Sequence, residues 1–272
     1  ERLPIDFDED DYRGAAQRYA AFLRQGDLNG LIDYDYNQEH PPLSKLAYGV
    51  ALLPLPESAL LPELSSSRPP AARLPEPHFQ TARRLAAVLG SLQTVALALL
   101  NPLAGLFLAA YTWQIKYTSQ VMLEPLPSLL SALSALAYLR SLRSPGSQRQ
   151  RNGWLAISAL ALGLTAAAKF TYCVVGLAIL ADWLWRTRPP RPGLPHLVRW
   201  LAPALGWGLL ALLCFFASNP RLWHEPGPRL VQMVAYHGDY AQSGPRLQAG
   251  FPPWQPFACL SHSAPWHPGV FL

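Results

Sequence analysis

The stretch from Leu85 to Ile115 reads LAAVLGSLQTVALALLNPLAGLFLAAYTWQI and contains no charged residue. At 31 residues it is too long for a single membrane-crossing helix, which needs about 20. The dipeptide Asn101-Pro102 near its middle is typical of a turn. The stretch therefore predicts a hairpin of two short apolar helices that meet at Asn101-Pro102.

The rest of the chain repeats this apolar pattern. Of its 272 residues 50% are hydrophobic and only 14% are charged, whereas soluble domains carry about 25% charged residues. Further segments with at most one charge span residues 122–139, 154–168, 170–185 and 200–217. We expect an all-α fold, a polytopic bundle of about six membrane segments. A soluble helical bundle is the alternative, but it needs more charged outer faces than these segments supply.

The acidic residues divide the chain. Of the 17 acids, 13 lie between Glu1 and Glu76, so a polar head precedes the apolar body. The mean hydropathy is only +0.09 because the two parts offset each other. We predict an acidic first loop with short helices over residues 1–82, a transmembrane region over 83–217, and a further segment outside the membrane over 218–272.

The basic residues suggest an orientation. A net charge of +5 raises the question of nucleic acid, but many of the arginines lie in two clusters between apolar segments: Arg140, Arg143, Arg149 and Arg151, then Arg186, Arg188, Arg191 and Arg199. The positive-inside rule places such loops in the cytoplasm. The head, the loop 113–124, the turn at Lys169 and the tail after Ser218 then share the opposite face. Membrane lipids, and not nucleic acid, are the expected surroundings.

Several polar residues stand out against this apolar background. The acids Asp8 to Asp11 precede a helical pattern over 12–23, where the helix dipole favours negative charge. A consecutive run of acids cannot converge on one ion, so it is a poor cation site. Glu124 opens an apolar helix, where an unpaired carboxylate costs a few kcal/mol. Lys169, between two apolar helices, suits either a lipid phosphate or simple extension to the interface.

Two other groups of polar residues have simpler explanations. His224, Glu225, His237 and Asp239 lack the spacing of a zinc motif, so we predict no metal site there. Asp182 and Arg186 are four residues apart and predict a structural pair on one helix.

The order of these motifs resembles a known family. FDEDDY (7–12), EHPPLSK (39–45), MLEPL (122–126), AAAKFTY (166–172) and NPRLWHEPGPRL (219–230) follow one another as in the dolichyl-phosphate-mannose protein mannosyltransferases. Their bacterial relatives, including aminoarabinose transferases, share the pattern. These are membrane glycosyltransferases of the GT-C fold, and the resemblance spans residues 7–240. The family has a helix before the first motif and more after the last, so the sequence is expected to be a fragment.

The resemblance implies a site. Asp8 and Glu9 match the acidic pair that supplies the catalytic carboxylate, with Asp8 as base. Glu124 stands where family members commonly carry Asp as a second acid. His40 and Lys45 match HPPL-x-K, and the candidates for binding the lipid phosphate are Lys169, His40, Arg221 and Arg229. The resemblance requires no certain cofactor, although a divalent cation fits the chemistry.

The implied reaction transfers mannose or a similar sugar, with inversion, from a polyprenyl phosphate to a hydroxyl of a protein or lipid. The active site is expected on the extracytoplasmic face of a prokaryotic plasma membrane. Two alternatives remain open at this point. One is a transporter or channel lined by Glu124 and Lys169; the other is a non-catalytic, truncated relative.

Overall fold

The computed structural model describes residues 7–57, 76–143, 147–189 and 194–242, and every regular element in them is helical. The helices are α1 (Phe7–Gln25), α2 (Leu28–Asp33), α3 (Leu43–Leu52), α4 (Glu76–Leu100), α5 (Pro102–Ala110), α6 (Thr112–Ser119), α7 (Pro125–Arg143), α8 (Gln148–Ala168), α9 (Val174–Thr187), α10 (Leu194–Ala217) and α11 (Pro226–Gln242). The all-α prediction is confirmed. The end of the predicted third region, residues 243–272, lies outside the described residues.

The head is built on α1, which packs one alanine-rich face against α3. Gly26 ends α1 with a φ of 65°, a conformation that glycine adopts without strain. The carboxylate of Asp27 then caps α2 by accepting from the Gly30 amide at 2.8 Å. At Gly49 of α3 a Cβ atom would lie 2.9 Å from the Ala16 carbonyl oxygen. Glycine at this position therefore allows the two helices to approach closely.

The predicted hairpin is present, and its break falls where the sequence indicates. Helix α4 ends at Leu100, and the Asn101 side chain accepts from the amides of Leu103 and Ala104 at 3.0 and 3.2 Å. Pro102 occupies the first position of α5, where a missing amide hydrogen does no harm. Helix α4 begins at Glu76, so the boundary predicted between residues 82 and 83 falls inside this helix.

Helices α7, α8 and α10 form the body, and small residues set their spacing. A Cβ atom at Gly163 of α8 would lie 2.3 Å from the Ala211 carbonyl oxygen of α10. Ala159 and Ala167, four residues to either side, are fully buried. Gly153, on the same helix, has no atom within 4 Å of such a Cβ. The backbones of α8 and α10 thus touch along one short stretch of the interface.

The bundle has two chemically different ends. At one end the start of α7 lies beside the end of α8, where Lys169 bonds Glu124, and Arg221 bonds the Tyr34 carbonyl oxygen. At the other end the Tyr138 hydroxyl and Arg186 both bond Asp182. The head, the loop 113–124, the Lys169 turn and residues after 218 therefore gather at one end, as the positions of the two arginine clusters predict. The clusters around Arg140 and Arg186 share the other.

Two helices among the described residues are long and apolar enough to cross a membrane, Glu76–Leu100 and Leu197–Ala217. Sequence reasoning predicted about six such segments. The remaining candidates fall short for separate reasons. Helices α5 and α9 have 9 and 14 residues, whereas α7 and α8 include arginines near their ends.

Candidate functional site

Tyr12 is the central residue of a polar cluster at the head end of the bundle, which also contains Asp8, His40, Glu124 and Lys169. It lies one turn after Asp8 on α1 and is only 6% exposed. Burial, and then the nearby charges of Asp8, Glu124 and Glu39, raise the pKa of Tyr12. The His40 ring packs edge-on to the Tyr12 ring, with centroids 6.1 Å apart. Carboxylates that are far apart in sequence therefore lie close enough to Tyr12 to raise the pKa of its hydroxyl.

Glu124 and Lys169 form the ion pair of this cluster. Lys169 Nζ lies 2.5 Å from Glu124 Oε1, and the two side chains are 18% and 26% exposed. Glu124 Oε2 is buried and has no hydrogen-bond partner among the described residues. A carboxylate oxygen without a donor is costly to bury. The pair as a whole is partly exposed, whereas the second oxygen of Glu124 is enclosed without a donor from the described part of the chain.

Helix α3 fixes the position of Glu124 through the preceding backbone. The Tyr48 hydroxyl donates to the Met122 carbonyl oxygen at 2.6 Å, and Ser44 Oγ donates to the Leu123 carbonyl oxygen at 3.2 Å. Both donors are buried. Lys169 is the residue that ends α8, with an extended backbone. The start of α7, the end of α8 and one face of α3 thus set the geometry of the ion pair.

Glu9 is held in a different way from Asp8. Its side chain has no exposure, and Arg83 Nε and Nη2 each donate to it at 2.8 Å. The Val121 amide donates to the same carboxylate at 2.8 Å, and the Arg83 guanidinium lies 3.9 Å above the Phe79 ring. Glu9 is expected from the resemblance to be catalytic, but a fully bonded, buried carboxylate ties α1 to α4 and to residue 121. We therefore regard it as a positioning residue.

The remaining acids of FDEDDY point in separate directions, as expected for consecutive residues. Asp10 accepts from Arg13 at 2.6 Å, and Asp11 accepts from the Tyr36 hydroxyl at 2.7 Å. Among the described residues no group of three or more His, Cys, Asp or Glu side chains is placed to hold a metal ion. Of the residues considered for zinc, His224 instead lies 3.4 Å from Asp33.

Lys45 is buried beside the cluster, not in it. Its ammonium donates to the Asn37 carbonyl oxygen at 2.7 Å and to the His40 carbonyl oxygen at 3.1 Å, and the residue is 2% exposed. Burial lowers the pKa of Lys45 to about 7, although the charge of Glu39 opposes this. Lys45 therefore shapes the turn that presents His40, and its contacts leave it no path to solvent.

Arg221 and Arg229, the other candidates for phosphate binding, make their contacts around α2. Arg221 donates to the Tyr34 carbonyl oxygen at 2.9 Å and to Gln38 at 2.6 Å, and it is 6% exposed. Arg229 donates to Asp33 at 2.6 Å and to the Ile32 carbonyl oxygen at 2.9 Å. Arg229 connects the start of α11 to the head, and Arg221 connects the turn before α11 to it. Lys169 is the candidate cation that the structure places on an accessible carboxylate.

Sequence reasoning missed two residues of this region. Tyr12 follows Asp8 by four positions, the spacing that puts two side chains on one helix face, so a helical plot of FDEDDY would have found it. The sequence contained only a weak indication that Arg83 belongs to the site, because nothing nearby in sequence links it to Glu9. No family model matches this chain, and no curated protein or solved structure matches it either.

Proposed function

We propose that this chain is an integral-membrane glycosyltransferase, or part of one, that transfers mannose or a similar sugar from a polyprenyl phosphate to a hydroxyl of a protein or lipid. One observation carries the proposal. The negative charges of Asp8, in the first motif, and of Glu124, in a distant one, both raise the pKa of Tyr12, and Glu124 accepts a hydrogen bond from Lys169. An acid and a cation at one end of an apolar bundle suit a reaction on a phosphate ester.

The surface of the bundle supports the membrane location. Large apolar side chains are exposed on α4, α5, α9 and α10, among them Leu99 at 60%, Phe107 at 63%, Leu177 at 69% and Leu205 at 69%. Soluble monomers rarely expose contiguous apolar surface on this scale. A lipid-linked donor needs its tail in the bilayer, so an active site at the end of such a bundle lies where the donor phosphate would be. We propose that this end faces the extracytoplasmic side.

In the proposed reaction Asp8 is the base, and it is exposed at the start of α1. Asp8 accepts the proton of the acceptor hydroxyl as that oxygen bonds to the anomeric carbon. The bond from that carbon to the phosphate oxygen breaks, and its electron pair leaves with polyprenyl phosphate, which inverts the sugar. Lys169 stabilises the charge that develops on the phosphate, and Glu124 positions Lys169.

The test is a transfer assay on membranes that carry the protein. Radiolabelled polyprenyl-phosphate mannose is the first donor, and label in protein or lipid is the readout. Asp8→Asn should abolish transfer, whereas Asp10→Asn, two residues further along α1 and bonded to Arg13, should retain it. Transfer that survives Asp8→Asn removes Asp8 as base.

Other results separate the alternatives. Failure with mannose calls for the same assay with other polyprenyl-linked sugars, and failure with all of them contradicts the proposal. Solute flux in liposomes without any sugar transfer would identify a transporter. Binding of polyprenyl-phosphate sugar without turnover would identify a non-catalytic relative.

A further inference from the structure

The end of the bundle opposite the Tyr12 cluster contains a cavity of about 320 Å³ between α4, α7 and α8. This volume is at the lower end of the range for small-molecule sites, about 300–1,000 Å³. Its wall is formed by the leucines Leu99, Leu100, Leu136 and Leu139. Its rim is formed by Arg140, Arg143, Gln150 and Trp154. The cavity thus has an apolar side and a cationic side.

No carboxylate in the part of the chain that the structure describes neutralises the two arginines of the rim. Arg140 and Arg143 occupy the last turn of α7, are exposed, and form no ion pair with any described residue. Between Glu124 and Glu225 the sequence contains a single acid, Asp182. Tyr138 and Arg186 already bond that carboxylate. The positive charge of this rim is therefore available to a ligand.

The apolar wall identifies the other half of the ligand. Leu99 is 60% exposed and lies at the end of α4, one of the two helices able to cross a membrane. Leu136 and Leu139 continue the wall along α7, and each precedes one of the arginines, Arg140 and Arg143, by one helical turn. Trp154 stands on the facing side of the cavity, and indole rings favour the boundary between headgroups and acyl chains.

We infer that this cavity binds an anionic phospholipid, with the headgroup phosphate on Arg140 and Arg143 and an acyl chain against the leucines. Basic pockets between membrane helices hold anionic headgroups by the same combination of charge and apolar contact. The inference needs the membrane location proposed above but not the sugar transfer. Because the cavity is at the opposite end from Glu124, lipid binding and transfer can fail separately.

The test uses the purified full chain in detergent and native mass spectrometry with phosphatidylglycerol or phosphatidylcholine. Phosphatidylglycerol should bind in preference, and Arg140→Gln/Arg143→Gln should weaken its binding about thirtyfold, since each of the two basic residues contributes about 1 kcal/mol at the membrane surface. Arg149→Gln/Arg151→Gln is the matched control, because it removes the same charge from residues outside the cavity. The control should retain the preference.

Two results would overturn the assignment. Equal losses in both double variants would mean general attraction to positive charge. Displacement of the lipid by inorganic phosphate at a similar concentration would mean that the acyl chain contributes nothing.

A second measurement needs no arginine variant. Brominated phosphatidylglycerol should quench Trp154 fluorescence, measured as the difference between the wild type and Trp154→Phe, and brominated phosphatidylcholine should not. Absence of that difference also contradicts the proposal. Sugar transfer, measured in parallel, should be unchanged in both double variants.

Discussion

The head and the body of this protein are held together by different interactions. Around α1 and α3 the interior contains charged side chains, with Glu9, Arg13 and Lys45 all less than 3% exposed. Between α8 and α10 the contact is made by alanine and glycine, with Gly163 against the backbone of α10. A charged interior depends on each partner being present, whereas a small-residue interface depends on side-chain atoms being absent. Substitutions should therefore damage the two regions by opposite mechanisms.

The largest effect is expected at Glu9. Glu9→Ala should destabilise the fold by about 3–5 kcal/mol, because it leaves the Arg83 guanidinium without its carboxylate. Unfolding in detergent, followed by circular dichroism, measures the loss. Arg83→Met should be similarly harmful, and the double variant should lose less than the sum of the two. Additive losses would show that the pair is not coupled.

Lys45 should make the stability of the head depend on pH. Burial lowers its pKa to about 7 from 10.5, so between these values the unfolded chain binds more protons than the folded one. Stability should therefore rise with pH, by up to about 1 kcal/mol per pH unit above pH 7. The measurement is the stability of the wild type minus that of Lys45→Met, from pH 7 to pH 9. A flat or falling difference contradicts this prediction.

In the body the informative substitution adds one methyl group. Gly163→Ala should destabilise by about 1–3 kcal/mol, because its Cβ would meet the Ala211 carbonyl oxygen. Gly153→Ala is the matched control on the same helix. It meets no atom and should be neutral or stabilise by up to about 1 kcal/mol, the helix propensity difference. Thermal unfolding of both variants distinguishes steric conflict from propensity.

The smallest effect on stability is expected for the pair Glu124–Lys169. Both side chains are partly exposed, so Lys169→Met should change stability by about 1 kcal/mol or less. In the transfer assay the same variant should lose most of its activity if Lys169 serves the phosphate. The Asp182–Arg186 pair at the other end provides the comparison: Arg186→Met should leave transfer intact. A stability loss at Lys169 above that of Glu9→Ala would assign the pair a structural role.

The residues that were predictable from sequence are those governed by local rules. The Asn101 break, the pair of Asp182 with Arg186, and the divergence of Asp8 to Asp11 follow from turn chemistry and helical spacing. The position of Glu124 and Lys169 at the same end of the bundle followed from counting helices and arginines, but their direct contact was not predicted. The partnership of Glu9 with Arg83 could not be predicted, because it is set by how α1 packs on α4. Of the six or so membrane segments predicted, two described helices are long and apolar enough to cross a membrane, and helix ends depend on capping and tertiary contact as well as on hydrophobicity.

The close contact at Gly163 has a consequence for the order of assembly. Burying apolar side chains against each other gains little when the surroundings are lipid, because the lipid tails are equally apolar. Close packing of backbones at small residues gains dispersion contacts in either solvent. Helices α8 and α10 can therefore associate as soon as both are made and placed side by side. The charged head, whose Glu9 and Arg83 must lose their water together, would close over a pair of helices that already exists.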